Sequence, residues 1–152
     1  MNILEQRRWE LEWFFLAALS AFFAALAAIF AKIGLQSIDS TVAAAARAII
    51  MMIFIVSFVL IIGKSHQLTQ LATRDMGFII LSGVAGALSW LLFFAALKIA
   101  DASRVSLVDR ASVLIVIVLS ALLLDEKITL KTAAAGILIF SGLLLLSTQA
   151  TE

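Results

Sequence analysis

Residues 76–98 read MGFIILSGVAGALSWLLFFAALK, and four residues later residues 103–124 read SRVSLVDRASVLIVIVLSALLL. Each stretch has the length needed to cross a hydrocarbon core, which takes about 20 apolar residues. Neither alternates with a period of two in segments of about 10 residues, as membrane barrel strands do. Both are apolar on all sides, so neither reads as the surface helix of a soluble domain. Yet Trp90 lies near the middle of the first, and Asp109 and Arg110 lie in the first half of the second. Polar groups inside such helices face a bundle interior or a water-filled cavity.

Three further stretches are of the same kind, running from about Trp13 to Ile33, Thr41 to Ile62 and Ile128 to Ser147. The expected fold is therefore all-α, an integral membrane bundle of five transmembrane helices whose short connections make consecutive helices antiparallel neighbours. A polar N-terminal segment over 1–12 precedes this domain at 13–147, and a polar tail over 148–152 follows it. Gly34 and Gly63 stand where a left-handed helix-ending residue belongs, and Asp75 and Ser103 stand where an N-cap belongs. The first span does not read as a cleaved signal, because it is too long and Arg7 and Arg8 are mixed with Glu5, Glu10 and Glu12. Of the 152 residues 64% are apolar and only 14% charged, against about half and a quarter in soluble domains.

The same arithmetic excludes several classes. With no Cys there is no disulfide framework. Eleven basic residues against ten acidic ones leave no basic surplus for nucleic acid. There is no P-loop and no G-x-G-x-x-G, so no cofactor is expected. His66 stands alone in a loop, without the cluster of ligands a metal needs. No Ser-His-Asp arrangement can be assembled, so no catalytic residues are assigned and an enzyme is not expected. Proline is absent, although a chain of this length would usually carry about seven.

The side that receives the N-terminus carries six basic residues, Arg7, Arg8, Lys64, Arg74, Lys127 and Lys131, against Lys32, Lys98 and Arg104 on the other. Taken alone, that count places the first side in the cytoplasm. Arg47 and Arg110 lie roughly two turns inside spans that begin on the second side, and long Arg side chains reach back from there. Counted so, the balance is six against five, a bias small enough for insertion both ways up.

Span four carries a polar stripe, Ser103, Ser106 and Arg110, with Asp109 at its edge. Arg47 lies at similar depth on span two, and an Arg47–Asp109 pair is one expectation. Two roles stay open for this cluster: an ion pair that holds helices together, or the lining of a substrate path. Trp90 carries an indole N–H that wants a partner. With Ser89 beside it and Ser82, Gly83 and Gly86 before it, span three presents a small, mildly polar surface. That surface suits close helix packing of the small-xxx-small kind, or a cavity wall formed by Trp90. The alanines and phenylalanines of span one are expected against lipid or neighbouring helices.

These residues resemble a single EamA-type domain of the drug/metabolite transporter superfamily, over about Trp13 to Leu146. The resemblance rests on Ser82 to Trp90, on Ala96 to Val105, and on Asp125-Glu126-Lys127-Ile128-Thr129-Leu130-Lys131 followed by a last helix punctuated by Gly136 and Gly142. Ala28 to Leu35 and Arg47 also fit. Such domains usually carry proline around the positions of Ser40 and Leu107, Trp-Gly where this chain has Phe23-Ala24, and Gly where it has Asp125. Proline inside a helix removes a hydrogen bond and kinks it, so without one span four is expected to be straighter.

Full transporters of this kind resemble two such halves in one chain, inverted relative to each other. The resemblance thus implies one half of an inverted-repeat transporter, with the substrate near the midplane. It implies partners of three kinds: the lipid bilayer, a second copy of the chain in opposite orientation, and a small metabolite or amphipathic substrate. The expected function is secondary transport by alternating access as an antiparallel homodimer, in the cytoplasmic membrane of a bacterium or archaeon. Arg47, Ser89, Trp90, Ser106, Asp109 and Arg110 are the substrate-path candidates, and Ser82, Gly83, Gly86, Gly136 and Gly142 the helix-packing ones. The alternative is a non-transporting or engineered helix bundle, which the missing prolines favour and the intramembrane charges disfavour.

Overall fold

The computed structural model describes residues 3–148. Its elements are α1 (Ile3–Gly34), α2 (Ser40–Ile61), α3 (Ser65–Leu68), α4 (Thr73–Ile99), α5 (Ala102–Asp109), α6 (Ser112–Leu123) and α7 (Leu130–Thr148), with no strand among the described residues. Four stretches are long and apolar enough to cross a membrane: Leu11–Gly34, Ser40–Ile61, Thr73–Ile99 and Ala102–Leu123. The apolar part of α7, Leu130–Leu146, is a shorter helix. The chain divides into two units, one ending at Lys98 and the other beginning at Ile99.

Large apolar side chains such as Phe54, Leu92, Leu122 and Leu145 are exposed all round these helices. In lipid that arrangement is favourable, because acyl chains solvate Leu and Phe as well as a protein core does. The buried residues of the first unit are few: Leu35, Ala44, Phe94 and Leu97.

What ties the first unit together is polar, at the end of α1 and the end of α4. The last carbonyls of a helix have no partner within it. Lys98 at the end of α4 donates through Nζ to the carbonyls of Leu35 (2.5 Å), Ile38 (3.0 Å) and Gln36 (3.4 Å), just past the end of α1. In return Lys32, in the last turn of α1, donates to the Leu97 carbonyl of α4 at 2.6 Å. Each helix lends the other a cation for its negative end, where a positive charge is favourable. Gly34 does not take the left-handed role expected of it. It closes α1 without a positive φ, and the next amide, Leu35 N–H, goes on donating to the Ala31 carbonyl at 2.9 Å in the helical four-residue pattern. Gly63 does take that role, with φ 70°. Lys64 N–H donates to the Val59 carbonyl and Gly63 N–H to that of Leu60, the two bonds of a Schellman ending.

Asp39 caps α2, its Oδ1 accepting from the N–H groups of Thr41 (2.9 Å) and Val42 (3.2 Å). The Val42 bond first, then the Thr41 bond, holds its carboxyl below the usual carboxylate range. A carboxyl lowered in the folded state stabilises above its unfolded pKa, and that stabilisation is lost as pH falls through the folded value. Asp39→Ala is therefore expected to lower the melting temperature at neutral pH, with the deficit against wild type closing as pH falls below the ordinary carboxylate range. Thermal melts across the acid range check this. The caps expected at Asp75 and Ser103 lie further upstream: Asp75 falls inside the first turn of α4, and Asp101 precedes α5 and pairs with Arg104 at 3.7 Å.

In the second unit α7 packs against α5 and α6. Gly136 lies on α7 at the contact with α6, where an added Cβ would meet Leu114 and Ile117 methyls at 3.5 Å. After α6 the chain turns at Asp125 with φ 54°. That left-handed value accounts for the Gly that the EamA-type pattern carries there, and Asp is among the few other residues that adopt it readily.

Candidate functional site

Arg47 stands about 10 Å along α2 from Ser40, and Trp90 about 13 Å along α4 from its end at Ile99, taking 1.5 Å per residue. The two helices run antiparallel, so both residues fall at a similar depth. The guanidinium carbon of Arg47 lies 5.0 Å from the Trp90 ring centroid and 5.7 Å from that of Phe94. Phe94 follows Trp90 by one helical turn, so both rings stand on one face of α4. Cation–π contacts of this kind reach about 2 kcal/mol where water is excluded. The guanidinium lies over both rings, and its five N–H donors remain to be satisfied. Among the described residues no hydrogen bond or ion pair engages them. Nor does the sequence supply a carboxylate anywhere within 13–38, 40–74 or 76–100.

Beside this cluster is a cavity of 480 Å³ between α2 and α4, walled by Thr41, Ala44, Ala48, Gly83, Gly86 and Trp90 among others. Gly83 and Gly86 border open space, since a Cβ at either would meet nothing within 4 Å, and the same holds at Gly142. Ser82 and Ser89 are exposed. Of the glycines expected at packing positions, Gly136 alone has a neighbour within that distance.

The second unit brings Ser106, Asp109 and Arg110 together at a break. Span four runs from Ala102 to Leu123 with a turn at Arg110 and Ala111 between the end of α5 at Asp109 and the start of α6 at Ser112, and both turn residues keep right-handed helical dihedrals. Through the junction the bonding shortens to three-residue spacing: Ala111 N–H to Val108 (2.9 Å), Val113 to Arg110 (3.1 Å) and Leu114 to Ala111 (3.0 Å). Arg110 N–H is shared between Ser106 (3.3 Å) and Leu107 (3.2 Å), and the series passes over the amide of Ser112. Arg110 is about 12 Å along the span from Ala102, so the break falls near the middle of a 30 Å hydrocarbon core. Asp109 and Arg110 are both exposed there.

Arg47 with Trp90, and Ser106 with Asp109 and Arg110, are thus the groupings among the six candidates. Phe94 was not anticipated, although its spacing from Trp90 marks it. The Lys32–Lys98 clasp was not anticipated either, and its signal was a lysine in the last turn of each of two helices.

Residues 11–148 match the model of the EamA-like transporter family. The chain belongs to that family. This EamA-like chain is also 38% identical over 135 residues to a Sinorhizobium sp. protein described as an uncharacterized transporter in cobO 3'region, an alignment that covers 89% of the chain and 96% of that relative. No solved structure matches it. The chain is an integral membrane protein of a transporter family, and its apolar helices require a bilayer around them.

Proposed function

We propose that this EamA-like protein is a secondary transporter that moves a small metabolite or amphipathic compound by alternating access, as an antiparallel homodimer in a bacterial or archaeal cytoplasmic membrane. The observation that carries the reading is the break at Arg110–Ala111 within an apolar span, flanked by Asp109. Interrupted helices with charged groups near the midplane are how many secondary transporters build their sites and hinges. In this reading the domain spans residues 13–147, α7 completes a fifth crossing and the domain is one of two inverted repeats. Arg47, Ser89, Trp90, Ser106, Asp109 and Arg110 line the path.

Five crossings put the two termini on opposite sides, so two copies must insert oppositely to form an inverted pair. The near-even split of basic residues, six against five, agrees with that. The relative from Sinorhizobium, covered over 96% of its length, is itself about one such domain long. A polar cluster in one half of the bilayer then opens to one face in one copy and to the opposite face in the other.

Topology tests the reading. The cysteine-free background allows a single Thr151→Cys label in right-side-out vesicles with an impermeant thiol reagent. Labelling of about half the molecules before permeabilisation is the expected result for dual insertion. Labelling that is complete or absent before permeabilisation would overturn the antiparallel dimer.

A further inference from the structure

We infer that the cavity between α2 and α4 binds a monocarboxylate with an apolar body, its carboxylate on the edge of the Arg47 guanidinium and its hydrocarbon part against the small-residue wall. This rests on the transporter reading above and names the class of its substrate. Three features of the first unit carry it.

The first is an intramembrane cation without an anion. Arg47 is half-buried, its guanidinium carbon lies over the Trp90 and Phe94 rings, and no hydrogen bond or ion pair takes its N–H groups among the described residues of the first unit. A guanidinium is never deprotonated in a protein, so its charge needs compensation from something that enters. A carboxylate matches the guanidinium fork by two parallel N–H···O bonds. One arginine neutralises one negative charge, which selects a monoanion.

The second is the adjoining space. Arg47 falls between the wall residues Ala44 and Ala48 in sequence and stacks on the wall residue Trp90. The 480 Å³ of this cavity lies within the range of small-molecule sites, about 300–1,000 Å³. The third is the character of the wall. Apart from the Thr41 hydroxyl and the Trp90 indole, its side chains are all Ala, Gly or Leu. A sugar or a polyol would leave its hydroxyls without partners there, which is costly. An aliphatic or aromatic body would not.

Equilibrium binding in lipid nanodiscs tests the inference. In a Trp9→Phe, Trp13→Phe background Trp90 is the remaining tryptophan, and its emission reports the site. Cyclohexylacetate is the probe, and cyclohexylacetamide its neutral counterpart. Saturable change with the acid is expected, with the amide weaker on the order of tenfold or more, the scale of losing one partner of a desolvated charge pair. Arg47→Gln should bring the acid down to the amide, and Arg47→Lys should restore only part of the difference. Gly86→Leu fills the cavity while leaving Arg47 in place, and should abolish binding with helicity by circular dichroism unchanged.

Equal affinity for acid and amide, no saturable change with either, or binding untouched by Arg47→Gln or Gly86→Leu would overturn it. The readout needs no gradient and no fixed topology. One-sided labelling of Thr151→Cys with acid binding intact removes the antiparallel dimer and leaves this site standing. Dual labelling without acid binding does the reverse.

Discussion

Leu97→Ala is expected to destabilise the first unit by about 2–4 kcal/mol, the cost of truncating a fully buried leucine. Leu97 is 0% exposed and Leu35 is 1% exposed, in a molecule where most large apolar side chains face outward. The two flank the lysine clasp: Leu97 lends its carbonyl to Lys32, and Leu35 lends its carbonyl to Lys98. A cavity at Leu97 therefore loosens packing under the two ammonium groups as well as removing dispersion contacts. Truncating an outward residue such as Leu92 removes only contact with lipid and should cost far less. Unfolding by SDS in mixed micelles, followed by circular dichroism, measures both. Leu97→Met, which nearly conserves volume, should cost less than about 1.5 kcal/mol. A Leu97→Ala cost no larger than that of Leu92→Ala would refute the assignment of this end of the unit as its core.

The second large effect concerns proline, and its sign depends on position. At Val118, inside α6, a proline removes a helical hydrogen bond and its ring meets the carbonyl one turn back, at about 3 kcal/mol or more. At Ser112 the amide is already passed over by the bonds of the junction, so a proline there gives up no hydrogen bond. Ala111 remains in the right-handed helical region, φ −57° and ψ −25°, which crowds a following proline ring, so a cost well below that at Val118 is expected. Ser112→Pro should fold and Val118→Pro should unfold in much milder SDS. Equal loss from both substitutions would mean that span four is continuous. Val118 is itself exposed, so its replacement does not also empty a packed site.

Most of the fold was legible in the residues. Stretches of about 20 apolar residues admit few structures, because a bilayer leaves no partner for an unbonded backbone group. Two helices fall within three residues of the expected spans, Ser40–Ile61 for Thr41 to Ile62 and Thr73–Ile99 for Met76 to Lys98. In contrast α1 begins at Ile3, ten residues before the expected Trp13, because the polar segment continues the helix of the apolar span. Helix ends were less legible. Gly34 and Gly63 look alike in sequence, yet only Gly63 is left-handed, while past Gly34 the four-residue bonding continues from Leu35 N–H to Ala31. No local pattern encodes that.

The break in span four shows a different limit. Read through proline alone, a proline-free helix should run on. The chain instead interrupts the helix at Arg110 and Ala111 by shortening its hydrogen bonds from four residues to three, a change that any residue type permits and no residue type announces. Arg47 and Trp90 were separately visible as polar groups inside apolar spans. That they meet, with Phe94 as a second ring, depends on the antiparallel register of α2 and α4.

The low share of charge, 14%, and the length of the apolar runs determined by themselves that this chain lives in a membrane as helices, and the EamA-type residues determined its family. The tertiary structure decided where the few charges go. Hydrophobicity is a sum over one segment, and burial in lipid follows from that sum alone. A cation's partner is set by geometry between segments, and only the packed chain reveals that Lys32 and Lys98 clasp two helix ends, while Arg47 lies over two rings.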